Sequence, residues 1–405
     1  MSNEHIIGLI REGRVPPDKR VAFTPAQCQE ILQRFKQIKI VCESSAVRAF
    51  TDHEFETAGI TVTDDLSACD ILMGIKEVPV SQLIDGKTYL FFSHTIKKQP
   101  YNRELLISIL KKKIRLIDYE ALKDSQGNRL VAFGRFAGIV GAYNGLLTYG
   151  LKHGLFKIRR ACECFDINDL KLEIRKIDLP PIKIILTGSG RVAKGAMETL
   201  DTAGIRKVSP ADFLNSTFSE PVYVQLSSKD YHRHRNAQPF NRTEFFQHPE
   251  RYESFFTDFL KVTDLLLAGA YWHPKAPVLF TREDMQQSWF KTDTIADITC
   301  DIRGSIPSTI RATSIQDPIY DYDPVSDSER PAFSDAKLIT VMSIDNLPCE
   351  LPRSASEEFG RDLIDRILKP LISGDQGGII ARATITEHGQ LGKNFKYLED
   401  YVAGK

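Results

Sequence analysis

The stretch from Pro181 to Ala196, PIKIILTGSGRVAKGA, constrains the fold of this chain more than any other. Its run of branched apolar residues predicts a buried strand of a parallel sheet, and a glycine turn and a helical pattern follow directly. Gly188 and Gly190 allow a tight turn close to a pyrophosphate, and Ala193 permits close packing of helix on strand. We interpret the stretch as a dinucleotide-binding strand–turn–helix, with a purely structural turn as the alternative.

Elsewhere the chain alternates strand and helix patterns, which favours an α/β fold with parallel sheets. Its 405 residues exceed one ordinary core. We predict two Rossmann-like domains with parallel sheets, separated by a cleft. Residues 1–133 and 349–405 would form the catalytic and substrate domain, and residues 134–348 the dinucleotide-binding domain. The small residues of 134–153 predict a long crossover helix.

The composition excludes several classes of function. Lys+Arg and Asp+Glu both number 53, so nothing favours nucleic acid or an anionic membrane as a partner. No stretch approaches 18 apolar residues and no cleavage signal opens the chain, so a cytoplasmic protein is expected. Seven irregularly spaced cysteines fit reduced thiols. Cys162 and Cys164 lack the usual zinc spacing, and no metal is predicted.

Two titratable residues follow predicted buried strands and are the candidate catalytic pair. Lys76 follows ACDILMG and His94 follows KTYLFFS, so adjacent strand ends would bring them to one crevice. A lysine with a lowered pKa and a histidine can together move the protons of a carbonyl–amine condensation. The alternatives are a surface lysine and a histidine bound to the backbone.

Three charged residues are candidates for binding a substrate. Arg20, in the loop REGRVPPDKRVAFTP that we predict to be exposed, suits a carboxylate. Lys97, one turn past His94, adds a cation suited to a dicarboxylate. Asp301, predicted to end the strand ADITCD, could accept a hydrogen bond from an ammonium group.

The candidate cofactor-binding residues surround the glycine turn and two further strand ends. Asp345 and Asn346 follow LITVMSI and could contact the nicotinamide or its ribose. Ser209 stands where an acid would bind the adenosine ribose of NAD, and the basic residues near it leave room for a 2′-phosphate, so the cofactor is NAD or NADP with a lean to NADP. The turn itself contributes Gly188, Ser189, Gly190, Arg191 and Val192.

Several long motifs together resemble one family. They include GIKEVP, KTYLFFSHTIKKQ, RLVAFGRFAGIVGAYNGL, GSGRVAKGA, QHPERYESFF, RGSIPSTIRATSI and MSIDNLPCELP. The chain resembles the alanine dehydrogenase and saccharopine dehydrogenase superfamily, and within it the lysine–ketoglutarate reductases. The segments SHTIKKQ and SIDNLP distinguish it from alanine dehydrogenase.

The resemblance implies an NAD(P)-dependent saccharopine dehydrogenase of the L-lysine-forming type. Lysine would condense with 2-oxoglutarate, and reduction of the imine would give saccharopine. By analogy Lys76 acts at the secondary amine and His94 at the carbinolamine and imine, while Arg20, Lys97 and Asp301 match substrate-binding positions. The fused relatives carry a saccharopine-oxidising domain for which this chain has no room. The alternatives are amination of a small 2-oxo acid with ammonia, and a non-catalytic NAD(P)-binding regulator.

Overall fold

The structure is a computed structural model and describes residues 4–405. The described residues up to Phe133, together with Pro352–Lys405, form one compact unit, here called unit 1. Residues Gly134–Leu351 form a second compact unit, unit 2. Unit 1 is therefore built from two separate segments of the chain.

Short strands and helices alternate along both units. The strands are β1 (His5–Leu9), β2 (Ile38–Glu43), β3 (Thr61–Thr63), β4 (Ile71–Met73), β5 (Thr88–Phe91), β6 (Arg115–Asp118), β7 (Lys183–Thr187), β8 (Arg206–Lys207), β9 (Val222–Leu226), β10 (His232–His234), β11 (Tyr252–Ser254), β12 (Leu265–Ala268), β13 (Thr294–Asp297), β14 (Ile319–Asp323), β15 (Ser328–Arg330), β16 (Ile339–Met342), β17 (Thr384–Glu387) and β18 (Gln390–Leu391). The α-helices are α1 (Pro25–Arg34), α2 (Asp52–Thr57), α3 (Arg103–Lys111), α4 (Gly134–Lys152), α5 (Ile167–Ile174), α6 (Arg191–Thr202), α7 (Pro210–Asn215), α8 (Arg242–Gln247), α9 (Thr257–Leu260), α10 (Arg282–Met285), α11 (Pro352–Asp362), α12 (Lys369–Ser373), α13 (Ile379–Ala383) and α14 (Glu399–Ala403).

Unit 1 is built on an eight-stranded sheet in the order β18-β17-β6-β5-β4-β1-β2-β3. Strands β1 to β6 pair in parallel, and their buried apolar residues explain why this part of the sheet lies inside the unit. The segment 384–391 adds β17 and β18 antiparallel at one edge, which the sequence analysis did not predict.

Unit 2 has a second eight-stranded sheet, in the order β15-β14-β16-β13-β12-β7-β9-β8. The six strands from β16 to β8 in this order pair in parallel. Strands β14 and β15 add an antiparallel pair at the opposite edge. The predicted α/β class with Rossmann-like sheets is confirmed, and each sheet is mixed rather than purely parallel. The segment 227–260 contains the antiparallel pair β10–β11 and the helices α8 and α9.

The long helix α4 packs against α6 and against the sheet of unit 2. Two glycines permit this approach: a Cβ on Gly138 would stand 1.9 Å from the Val192 carbonyl oxygen, and one on Gly195 would stand 1.9 Å from the Arg135 carbonyl oxygen. Because real side chains do not tolerate such distances, glycine is required at both positions. The small residues of the predicted crossover helix therefore serve helix–helix packing within unit 2.

The C-terminal segment of unit 1 begins with a helical run, in which a π-helical stretch, Leu363–Leu368, joins α11 to α12. The Val21 N–H donates to Ser356 Oγ at 2.9 Å, and the Phe359 ring stacks on Phe133 with centroids 4.4 Å apart. These contacts bring α11 onto the loop that follows β1, beside the residues of the candidate site in this unit.

Candidate active site

Lys76 lies on the turn after β4, which ends at Met73. The backbone N–H groups of Ile75 and Lys76 donate to Glu12 Oε1 and Oε2 at 2.6 and 2.8 Å. Glu12 follows β1, the neighbour of β4 in the sheet. One carboxylate therefore ties together two adjacent strand ends and holds the turn that carries Lys76.

The Lys76 amine is electrostatically disfavoured as a cation. Burial lowers its pKa, and the guanidinium charges of Arg20 and Arg14 lower it further, against the opposing charges of Asp18 and Glu77. Within residues 4–405 the amine has no hydrogen-bonding or ion-pair partner. A lysine in these surroundings can exchange a proton closer to neutral pH than an exposed one.

Arg20 is buried, with 3% of its side chain exposed, and forms a bidentate pair with Asp18. Its Nε donates to Asp18 Oδ1 at 2.9 Å and its Nη2 to Oδ2 at 2.5 Å. The guanidinium also lies 4.1 Å from the centre of the Phe133 ring. The loop from Arg11 to Pro25 was predicted to be exposed, and this is wrong for its second half, because the ion pair and the apolar residues after it are buried.

His94 is bound to Glu77, the residue next to Lys76 in the chain. Its Nδ1 lies 2.5 Å from Glu77 Oε1. A carboxylate only accepts, so Nδ1 carries the proton and Nε2 is left as the proton-exchanging nitrogen. Burial raises the pKa of Glu77, but the hydrogen bond and charge of His94 outweigh it and hold that pKa below its usual value. The carboxylate that holds His94 therefore belongs to the residue next to Lys76 in the chain.

The backbone at His94 is held in the left-handed region, with φ of 52°. A buried carboxylate fixes it: Asp118 Oδ2 accepts from the Ser93 N–H at 2.9 Å and from Ser93 Oγ at 2.5 Å, while Oδ1 accepts from the Glu120 N–H at 2.7 Å. Burial raises the pKa of Asp118. Asp118 ends β6, beside β5, so the His94 turn is also held from the adjacent strand.

Lys97 lies on a 3-10 turn, Thr95–Lys97, directly after His94. Its Nζ is 3.8 Å from Glu120 Oε2, and Arg129 binds the other oxygen of the same carboxylate. Glu120 and Arg129 also line a cavity of about 600 Å³ that carries charges of both signs. Lys97 is half exposed, as a residue that meets a small anion from solvent requires.

In unit 2 the glycine turn has the conformation that the sequence predicts for a phosphate-binding loop. Gly188 has φ of 104°, and its N–H donates to the Leu226 carbonyl at 2.8 Å. Gly190 precedes α6, and nothing lies within 4 Å of the position of its Cβ. No side chain caps α6, no acidic residue lies in its first turn, and Ser189 to Arg191 are exposed. Val192 is partly and Ala193 fully buried. These residues fit a dinucleotide pyrophosphate.

The adenosine end of the predicted cofactor site differs from expectation. Ser209 was placed at the end of the second strand, but β8 is a two-residue edge strand that ends at Lys207, and β9 is the strand that lies beside β7. The Ser209 hydroxyl caps α7 by accepting from the Asp212 N–H at 3.1 Å and donates to that carboxylate at 2.6 Å. Lys207 Nζ donates to Gln225 at 3.1 Å, and Gln225 Nε2 donates to the Gly188 carbonyl at 2.6 Å.

Asp301 was predicted to end a strand, and this is wrong, because β13 ends at Asp297. Asp297 is buried and accepts from Thr309 Oγ1 at 2.7 Å. Asp301 opens the following turn, with its carbonyl accepting from the Gly304 N–H at 2.8 Å. Burial raises the pKa of the Cys300 thiol to about 12, with help from the charges of Asp345, Asp297 and Asp301.

Asp345 and Asn346 follow β16, which ends at Met342. Asp345 is exposed, and its N–H donates to the Thr313 carbonyl at 3.3 Å. The Asn346 carbonyl accepts from the Cys349 N–H at 2.9 Å, so Asn346 opens a 3-10 turn. The charges of Asp345 and Asp301 therefore both act on the Cys300 thiol.

No group of three or more His, Cys, Asp or Glu side chains among residues 4–405 is arranged to hold a metal ion. None of the helices in this range combines the length and apolar character that spanning a bilayer requires.

Two sheets centred on parallel strands, one with a glycine turn before a helix, define a Rossmann-like α/β protein. Residues 8–140 match the family model "Alanine dehydrogenase/PNT, N-terminal domain". The chain is 30% identical over 449 residues to the mitochondrial alpha-aminoadipic semialdehyde synthase of Mus musculus, covering 98% of this chain and 48% of that protein. It is 24% identical over 379 residues to a saccharopine dehydrogenase (NAD(+), L-lysine-forming) of Yarrowia lipolytica, covering 89% and 91%. Residues 8–140 thus match the alanine dehydrogenase/PNT N-terminal domain, and over most of its length the chain is similar to alpha-aminoadipic semialdehyde synthases and saccharopine dehydrogenases.

The chain spans about half the length of the alpha-aminoadipic semialdehyde synthases that it matches. Solved structures agree on the fold. An L-alanine dehydrogenase superposes with a TM-score of 0.67 at 15% identity, covering 98% of this chain and 99% of that one. A transhydrogenase from Sinorhizobium meliloti gives 0.57 at 14% identity, covering 96% and 98%.

Proposed function

We propose that this chain is an NAD(P)-dependent oxidoreductase acting on CH–NH groups, which interconverts L-lysine, 2-oxoglutarate, NAD(P)H and a proton with saccharopine, NAD(P)+ and water. The observation that carries the proposal is the contact of His94 with Glu77, the residue next to the buried Lys76, because a condensation and its reversal need two groups that exchange protons. The names of the relatives support the choice of substrates. Residues 1–133 with 349–405 would bind substrates, and residues 134–348 the dinucleotide.

His94 would act at the carbinolamine and imine steps. With Nδ1 donating to Glu77, Nε2 can take a proton from the attacking amine and return it to the hydroxyl that leaves as water. The ionised Glu77 stabilises the imidazolium that forms between these transfers. This makes the pair a reversible proton carrier.

Lys76 would act at the nitrogen of saccharopine. In the forward direction its ammonium protonates the secondary amine after reduction, and in the reverse direction the neutral amine takes that proton back. Burial and the neighbouring charges of Arg20 and Arg14 lower the pKa of Lys76 and make both forms accessible.

Three charged residues would hold the substrates. We propose that the Arg20 guanidinium, fixed in its plane by Asp18, binds an α-carboxylate, and that Lys97 binds a second carboxylate. Asp301 would accept a hydrogen bond from the substrate ammonium group. These roles follow the family resemblance, and substitution of each residue would test its role.

The proposed cofactor is a nicotinamide dinucleotide, whose chemistry when bound is hydride transfer to the imine carbon. The turn from Gly188 to Val192 would hold its pyrophosphate, and Asp345 and Asn346 its nicotinamide half. We propose NADP, with Lys207 rather than Ser209 facing the 2′-phosphate. Lys207 supports this because it is linked through Gln225 to the glycine turn, whereas Ser209 caps α7.

The test is the oxidation of NADPH and of NADH by the full chain with lysine and 2-oxoglutarate together, and with each omitted in turn. We expect a rate that requires both substrates and is lost by about a hundredfold or more in Lys76→Met, since a general acid–base contributes 10²–10⁴-fold. Lys39→Met, at an exposed position on β2, serves as the matched control and should leave the rate unchanged. A rate with lysine omitted would contradict the proposal.

Two other functions remain as alternatives, and the same assay separates them. Equal rates with pyruvate and ammonia would show amination of a small 2-oxo acid. Tight NADPH binding without any lysine-dependent rate would show a regulator, and Lys76→Met would then change nothing. We also propose a cytoplasmic location. The enzyme assay does not test it, and cell fractionation does.

A further inference from the structure

Glu12 is a charged residue in the loop after β1 to which the proposed chemistry gives no role. Its two oxygens accept from two consecutive backbone N–H groups, those of Ile75 and Lys76, at 2.6 and 2.8 Å. A Cβ on Gly74 would stand only 3.2 Å from Glu12 Oε1. The carboxylate therefore binds two successive N–H groups of the turn after β4 and lies close to Gly74, the residue before them.

The surroundings of Glu12 disfavour its ionised form. Burial and the nearby charge of Asp18 raise the pKa of Glu12 to about 8, against the two N–H donors and the Arg20 charge, so the carboxylate that accepts both contacts is the major form above about pH 8. The hydroxyl of Tyr119 is buried, lacks a hydrogen-bond partner among the described residues, and feels the Glu12 charge. Burying an ionised carboxylate among these groups costs free energy. Its two hydrogen bonds to the Lys76 turn offset part of that cost and indicate its structural role.

We propose that Glu12 is a positioning residue, whose carboxylate holds the turn after β4 so that the Lys76 amine stays out of water beside Arg20. The reaction itself uses only the amine. Glu12 acts through the backbone, since two acceptors on one planar group fix both peptide planes that lead into Lys76.

The isosteric change Glu12→Gln tests this, because an amide retains one acceptor oxygen and turns an NH₂ group towards the second N–H donor. The turn then loses one contact, and Lys76 gains access to water. Burial is the largest cause of the lowered Lys76 pKa, so that pKa should rise towards the value of an exposed lysine.

The readout is acetylation of Lys76 by acetic anhydride across a pH series, measured by peptide mass spectrometry in the full chain with the exposed Lys111 as internal reference. We expect half-maximal reactivity of Lys76 at a higher pH in Glu12→Gln than in the wild type. An unchanged pH midpoint in a folded variant would overturn the proposal. If Glu12→Gln does not fold, Glu12→Asp, which keeps both oxygens at a shorter reach, is measured in the same way and should move in the same direction.

Asp70→Ala is the matched control. Asp70 Oδ2 accepts from the Ile6 N–H at 2.9 Å, so this change also removes one carboxylate contact to a backbone N–H between β1 and β4, at the other end of the strands. It should leave the labelling of Lys76 unchanged, and an equal shift would show a general loosening of the sheet.

The second readout rests on the proposed function. Above about pH 8, where the wild-type residue is ionised, kcat in Glu12→Gln should fall about tenfold while KM for 2-oxoglutarate changes less than about threefold, since one charge-assisted hydrogen bond is removed away from the substrate. Labelling does not depend on turnover. If Lys76→Met retains full activity, the proposed function fails while the labelling result still decides the role of Glu12.

Discussion

At the scale of single residues, the contact between His94 and Glu77 predicts a loss of rate. Glu77 has a pKa below its usual value, so it stays ionised around neutral pH and offers a charged acceptor to Nδ1 of His94. In Glu77→Gln that charge is absent, so the imidazolium formed during proton transfer is stabilised less. We expect kcat/KM at neutral pH, measured in the lysine-dependent assay, to fall about tenfold, as when one charge-assisted hydrogen bond is lost.

The control for this prediction is Glu250→Gln, because Glu250 Oε1 lies 3.3 Å from Nδ1 of the exposed His248, outside the candidate site. It should leave kcat/KM unchanged. An unchanged kcat/KM in Glu77→Gln would mean that this carboxylate does not assist proton transfer at His94.

The residues with chemistry could be predicted from the sequence, whereas their partners could not. Lys76 and His94 follow apolar runs, and strand ends are visible as patterns. Glu12 and Asp118 meet these turns only because β1 lies beside β4 and β6 beside β5, and a single sequence does not show strand order. Glu77 was adjacent to Lys76 and could have been considered, since it is the only acidic residue in GIKEVP.

At the scale of elements, the crossing of α4 over α6 predicts a large cost for one methyl group. Gly195→Ala should lower the free energy of unfolding by about 1–3 kcal/mol or more, because its Cβ would overlap the Arg135 carbonyl oxygen. Gly190→Ala is the matched control within the same motif, since nothing lies near its Cβ, and should stay within about 0.5 kcal/mol. Chemical denaturation measures both, and equal losses would contradict the assigned contact.

The short strand β8 predicts a difference between two neighbouring basic residues. Lys207 reaches Gln225, which binds the glycine turn, whereas Arg206 forms an ion pair with Glu220 at 2.6 Å. Lys207→Met should weaken NADPH binding about tenfold and leave NADH binding unchanged, as expected when one charged contact to a phosphate is lost. Arg206→Met, the control, should affect neither. Titration of nucleotide fluorescence gives both dissociation constants.

Most parallel strands and the long helices were predictable, since buried apolar runs and helical spacing are local signals. The antiparallel pairs β14–β15 and β17–β18, at the edges of the two large sheets, were missed. Residues 319–323 alternate as IYDYD and precede the turn DPVSD, which is a hairpin signal that was present but not used. The pair at 384–391 is short and follows a helix directly, so only its pairing with β6 identifies it as part of the sheet.

At the scale of the whole molecule, the order of segments predicts which part folds alone. Unit 2 is one continuous stretch, Gly134–Leu351, whereas unit 1 needs Pro352–Lys405 to supply α11, β17 and core residues such as Phe359. A fragment of residues 134–351 should fold cooperatively and bind NADPH, because the glycine turn and β9 lie within it. A fragment of residues 1–133 should not fold, because it leaves an apolar core uncovered. Circular dichroism and NADPH titration of the two fragments test this, and a cooperative melt of residues 1–133 would contradict it.

The edge strands of the two large sheets affect how readily the folded protein forms fibrils. All four edge strands are two or three residues long: β3 and β18 in one sheet, β8 and β15 in the other. An exposed edge recruits foreign strands through its unpaired N–H and C=O groups, and two or three residues offer too few of them to template an extended ladder. Concentrated solutions of the folded chain should therefore resist growth into fibrils by strand addition, even though each sheet interior is rich in the branched apolar residues that promote it.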